Sequence, residues 1–158
     1  MRELENKKLF FFERKKNNWD ESIKGLNELL HEINHLIGEF QVNDNENKEI
    51  KKFIDLYNST KLTLATTYLY NKKYEMGKRL VDELINDHPY YLRPYIKKLE
   101  FFHTRGELDH AKELYDTLQR RKNELREEKD KVYFKKVAEA FLKDWEPYQK
   151  VIFFIIKN

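Results

Sequence analysis

Two stretches decide the fold: YLYNKKYEMG at residues 68–77 and FHTRGELDHA at residues 102–111. Laid on one another, they place Tyr68 on Phe102 and Tyr74-Glu75-Met76-Gly77 on Leu108-Asp109-His110-Ala111. Each pair is 34 residues apart. Further out, the same shift sets Ala65 on Leu99, Val81 on Tyr115 and Leu84 on Leu118. Apolar residues at helical spacing flank a short polar break in both copies, Asn71-Lys72-Lys73 in one and Arg105-Gly106-Glu107 in the other. A helix–turn–helix unit that recurs at a fixed period predicts an array of helix pairs, each burying its apolar face against neighbours.

Outward from these turns the pattern stays helical. Upstream, Ile54, Leu56, Tyr57, Leu62, Leu64, Ala65 and Tyr68 follow from Glu49. A second helix is predicted from about Tyr74 to Asn86, where His88-Pro89 stops it. Arg93 to Thr104 and Leu108 to Arg121 form the next pair. The run from Asp20 to Phe40 is amphipathic, with Asp20 as the expected N-cap. At about 100° per residue from Leu26, Leu29 falls near 300°, Leu30 near 40°, Ile33 near 340° and Ile37 near 20°. Glu28, His31, Glu32, His35 and Glu39 fall on the opposite side. A short helix containing Leu9 to Phe12 precedes it and is expected to end at Lys16-Asn17-Asn18. The Asn-rich tract 41–48 reads as a loop, and a last helix is expected from Val132 to Trp145, ended by Pro147. The expectation is a single helical domain over residues 1–158.

Composition agrees with that outline. The 158 residues amount to about one domain. Charged residues reach 37%, against about 25% in an average domain. Aromatics at 15% still supply bulk for a core. Four Gly and three Pro are too few for a many-stranded sandwich or barrel, and no two glycines stand close enough for a phosphate loop. The net charge of +3 comes from interspersed signs, so no nucleic-acid face is expected. The mixed charges from Arg120 to Lys131 read as a solvated helix. Without Cys there is no disulfide, thiol nucleophile or Cys-ligated zinc. The charged start lacks the apolar stretch of a signal peptide, and no run approaches the roughly 18 apolar residues of a membrane span. A soluble, cytoplasmic protein with no membrane partner is expected.

The repeat resembles the tetratricopeptide repeat (TPR) family. Ala65, Tyr68, Tyr74, Gly77 and Pro89 in residues 58–91 stand at that family's spacing, as do Tyr95, Phe102, Gly106, Leu108, Ala111 and Tyr115 in 92–125. The second copy departs from the pattern at Leu99 and Asn123, where a small residue and a closing Pro are usual. Residues 3–40 resemble a degenerate first helix pair, with Glu13 in an aromatic position, and 131–158 a capping segment. The resemblance implies an all-α solenoid of antiparallel pairs with a C-terminal capping helix. It also implies a non-catalytic interaction module, an adaptor or scaffold that binds a protein or peptide segment in a concave groove lined by first helices. The groove positions it implies include Ser59, Leu62, Thr63, Thr66, Leu69 and Tyr70, then Arg93, Ile96, Lys97, Glu100, His103 and Thr104. The contacts expected to matter are Lys7, Thr63, Thr66, Tyr70, Arg93, Lys97 and His103. One subclass clamps the terminal carboxylate of heat-shock chaperones with cations and two Asn. Here Lys7, Arg93 and Lys97 keep cations, while Phe11 and Thr63 replace the amides. An acidic or C-terminal peptide remains the expected ligand.

Two other classes compete. His31-Glu32-Ile33-Asn34-His35 matches H-E-x-x-H, which in zinc peptidases sets two His on one helical face with Glu as general base. A small zinc-dependent hydrolase is the first alternative, although Gln41 stands where one subclass has a third His and few residues precede the motif to build a sheet. Glu-x-x-His spacings at Glu28/His31, Glu32/His35, Glu100/His103 and Glu107/His110 suggest a di-metal bundle less well, because such ligands face a bundle interior. The second alternative is a structural subunit that forms a homodimer through the apolar Val151 to Ile156. The leading expectation needs no cofactor, metal or catalytic residue.

Overall fold

The computed structural model describes residues 1–14, 18–43, 48–128 and 150. Among the described residues the secondary structure is helical, in six helices with no strand: α1 (Arg2–Arg14), α2 (Trp19–Asn43), α3 (Lys48–Tyr70), α4 (Tyr74–Asp87), α5 (Leu92–Thr104) and α6 (Leu108–Glu128). The chain divides into two compact units, Met1–Leu80 and Val81–Asn158, with the boundary inside α4.

In the first unit α1, α2 and α3 pack against one another. The apolar stripe of α2 goes inward as its periodicity requires. Leu29 and Ile33 join Leu4, Phe53 and Leu56 in one buried cluster. Leu26 joins Leu64 and Tyr68 in another, with Phe11, Ile23, Leu30 and Leu80 packed around it. Helix α1 seats against α2 at Gly25, where a Cβ would collide with the edge of the Phe11 ring. In the second unit Leu92, Tyr95, Ile96, Leu99 and Phe102 of α5 bury against Ala111, Leu114 and Leu118 of α6.

Several boundaries differ from the sequence expectation. The N-cap of α2 is Asn18, not Asp20: Glu21 N–H donates to Asn18 Oδ1 at 3.2 Å, and Ser22 N–H to the Asn18 carbonyl at 3.2 Å. Asn and Asp cap equally well, so the earlier residue adds a turn's start and leaves Asp20 inside the helix. Helix α2 also continues through Asn43 and α3 starts at Lys48, so residues 41–43 and 48, expected in a loop, are helical. The helix expected from Val132 to Trp145, the capping segment 131–158 and the apolar run 151–156 lie outside the described residues, apart from Lys150.

Two turns that stand 34 residues apart close with the same backbone bonds. In the first, Lys72 N–H donates to the Leu69 carbonyl at 3.0 Å and Lys73 N–H to the Tyr68 carbonyl at 2.8 Å. In the second, Gly106 N–H donates to the His103 carbonyl at 3.1 Å and Glu107 N–H to the Phe102 carbonyl at 2.8 Å. This 5→2 and 6→1 pair is the Schellman motif, which needs a left-handed residue just past the helix end. That residue is Lys72 at φ 59° in one copy and Gly106 at φ 71° in the other. The next helix starts alike, with Gly77 N–H on the Lys73 carbonyl and Ala111 N–H on that of Glu107. Burial follows the register: Ala65 with Leu99, Tyr68 with Phe102 and Leu84 with Leu118 are buried in both copies.

A lysine at positive φ brings its Cβ too near a carbonyl, which glycine avoids. Lys72→Gly should therefore raise stability by about 0.5–1 kcal/mol, and Gly106→Ala should lower it by about 1 kcal/mol. Urea unfolding followed by far-ultraviolet circular dichroism measures both, and the opposite sign in either would show that the turn does not need this conformation.

Candidate functional site

Helix α5 presents the clearest polar face on a fixed support. Tyr91 precedes it with extended backbone (φ −83°, ψ 107°) and supplies no side-chain cap. Pro94 falls in the first turn, where its missing N–H costs no helical bond. The side of α5 carrying Leu92, Tyr95, Leu99 and Phe102 is buried. Arg93, Lys97, Glu100 and Thr104 follow one another at three- and four-residue steps and share a stripe. Arg93 and Thr104 are exposed, and Lys97 and Glu100 half-buried. Lys97 Nζ lies 2.9 Å from Glu100 Oε2, so its charge is shared along the helix. Arg93 has no ion pair among the described residues. His103 is half-buried and lies about 80° round from Arg93, off the stripe. Ile96, an expected groove position, is 3% exposed and belongs to the core.

The platform is braced at its start. The Tyr95 hydroxyl donates to the Pro89 carbonyl at 2.7 Å, which ties α5 to the segment that follows α4. The Arg121 guanidinium lies 5.8 Å from the centre of the Tyr90 ring and 3.2 Å from Glu124 Oε2. Burial pushes the Tyr95 phenol above its ordinary value, and nearby Arg121 opposes part of that shift. Lys98 Nζ approaches Asp82 Oδ1 at 2.9 Å, as an ion pair rather than an aligned hydrogen bond, since that oxygen makes no hydrogen bond.

The residues expected in the first unit are differently disposed. Lys7 Nζ lies 3.1 Å from Glu32 Oε2 and 3.9 Å from Glu3 Oε1, so its charge is met by α2 and by its own helix. Thr63 donates to the Ser59 carbonyl and Thr66 to the Leu62 carbonyl, both at 2.9 Å. Thr66 is 7% exposed and offers little surface to a ligand. Tyr70, at the end of α3, is 57% exposed. Its ring stacks on Trp19 with centroids 5.8 Å apart and planes 14° apart. Beside it Lys73 Nζ lies 3.8 Å from Asp20 Oδ1. Trp19 was missed as a partner of Tyr70 because nothing local links the start of α2 to the end of α3.

The H-E-x-x-H residues sit on the outer face of α2, opposite its buried stripe, and His31, Glu32 and His35 are exposed. Among the described residues no three His, Cys, Asp or Glu side chains gather as a metal site. Also among the described residues, no helix is long and apolar enough to cross a membrane. The chain matches no family model, no curated protein and no solved structure.

Tyr95 yields a pH test. A phenol raised above its unfolded value of about 10 stabilises the fold below pH 10, and that stability is lost as pH rises through the folded value. Tyr95→Phe should cost about 1 kcal/mol at pH 7 through the lost bond to Pro89. The difference between the two proteins should shrink above pH 10. Denaturant midpoints at pH 7, 9 and 11 measure it, and a constant difference would sink the assignment.

Proposed function

We propose that the chain is a non-catalytic interaction module of the tetratricopeptide kind, which takes an acidic peptide segment or the acidic face of a partner helix against α5. The observation that carries this reading is the 34-residue recurrence of one turn, down to the same four backbone hydrogen bonds and the same left-handed position. Helix pairs repeated in one register put equivalent faces of successive first helices to equivalent use. On α5 that face carries Arg93 and Lys97 on a rigid, buried support. Lys97 already holds a carboxylate at hydrogen-bond distance. A ligand carboxylate would take the place of Glu100 on Lys97 or bind Arg93 in bidentate fashion. A half-buried pair of neighbours on one helix such as Lys97–Glu100 contributes on the order of 1 kcal/mol, so exchanging it for a ligand carboxylate costs little.

The test uses synthetic peptides that end in acidic residues with a free carboxylate, read by fluorescence anisotropy. Binding should weaken with salt, and Arg93→Glu with Lys97→Glu should reduce affinity at least tenfold while the circular dichroism spectrum is kept. If the double variant binds the same peptides as tightly as the native chain, α5 is not the face used.

A further inference from the structure

We propose that His31 and His35 form a surface chelate for one divalent transition-metal ion that prefers imidazole, Cu2+ above all, with water completing the coordination. Helix α2 runs unbroken from Trp19 to Asn43, so these residues stand one turn apart on one face. Side chains at that spacing have Cβ atoms about 5–6 Å apart, and an imidazole nitrogen sits about 2.0–2.1 Å from a bound Zn2+. Two rings can therefore close on one ion without any backbone shift. The rotation of the helix is pinned by Leu26, Leu29 and Ile33, all buried, which turns the two imidazoles outward. The His35 side chain is 69% exposed, leaving its ring room to turn.

The surroundings favour a cation. Glu28, His31, His35 and Glu39 follow one another at steps of three and four residues, so a carboxylate stands about one turn beyond each imidazole. Glu39 Oε1 lies 3.7 Å from His35 Nδ1. A carboxylate at that distance puts negative charge beside the ring, which favours a cation bound there. The Glu32 carboxylate, which a hydrolase would use as general base, is engaged by Lys7 Nζ at 3.1 and 3.2 Å. The site thus binds without the base that hydrolysis requires. Nitrogen ligands select Cu2+ over Zn2+, and disfavour the hard cations Mg2+ and Ca2+. The inference is independent of any peptide on α5.

Calorimetric titration of the full chain with Cu2+ in a non-coordinating buffer tests it. One site per chain is expected, and its affinity should fall at least tenfold in His31→Gln and equally in His35→Gln. The double variant should lose no more than either single one, because a chelate is broken by removing either arm. Electron paramagnetic resonance of the one-to-one complex should show two nitrogen ligands. Copper at a hundred times its Kd should favour the folded state about a hundredfold. Mg2+ at the same concentration should not distinguish the native chain from the double variant. Unchanged affinity in either single variant, or losses that simply multiply in the double, would overturn the proposal.

Discussion

A highly charged helix has one narrow stripe to bury, and everything else here depends on where that stripe is aimed. With 37% charged residues, no helix could be covered on all sides without burying unpaired charge. Helix α2 shows the constraint in its plainest form. Leu26, Leu29 and Ile33 are fully buried, while Glu28, His31, Glu32 and His35 are exposed. Because each helix has one inward direction, its outward residues are fixed as well. The polar stripe of α5 and the paired imidazoles of α2 are thus consequences of core packing and needed no special loop to place them.

How far the fold was legible follows from the range of each signal. The stripe of α2 could be read because a 3.6-residue period is local information, and so could the turns at 71–73 and 105–107. The choice of Asn18 over Asp20 as N-cap could not, since both types cap equally well and they lie two residues apart. Site residues divide in the same way. Arg93 and Tyr70 are exposed. Ile96 and Thr66 are buried, because the apolar arc of each helix is wider than the repeat pattern alone assigns. The Lys7–Glu32 pair and the Trp19–Tyr70 stack join different helices, and no spacing rule within one helix could find them.

The two turns show how one geometry is reached by unlike residues. Glycine at position 106 meets the demand for positive φ at no steric cost, whereas Lys72 meets it against its own Cβ. The same four bonds form in both. The closure is therefore imposed by the flanking helices, whose buried residues Tyr68 and Phe102 supply the carbonyls for the 6→1 bonds. A residue held in a disfavoured conformation by its neighbours is evidence that the neighbours fix the turn, and the shared 34-residue register then has a physical origin in packing.

That distinction bears on where ligands can act. Along α3 the hydroxyls of Ser59, Thr63, Thr66 and Thr67 donate to carbonyls one turn back on the same helix. Their donor capacity is spent internally, and the Tyr70 ring is what the end of α3 leaves exposed. On α5 the equivalent stripe carries long cationic side chains whose heads can leave a weak surface pair for a better one. Two helices related by one register thus present different chemistry, apolar at the end of α3 and cationic along α5.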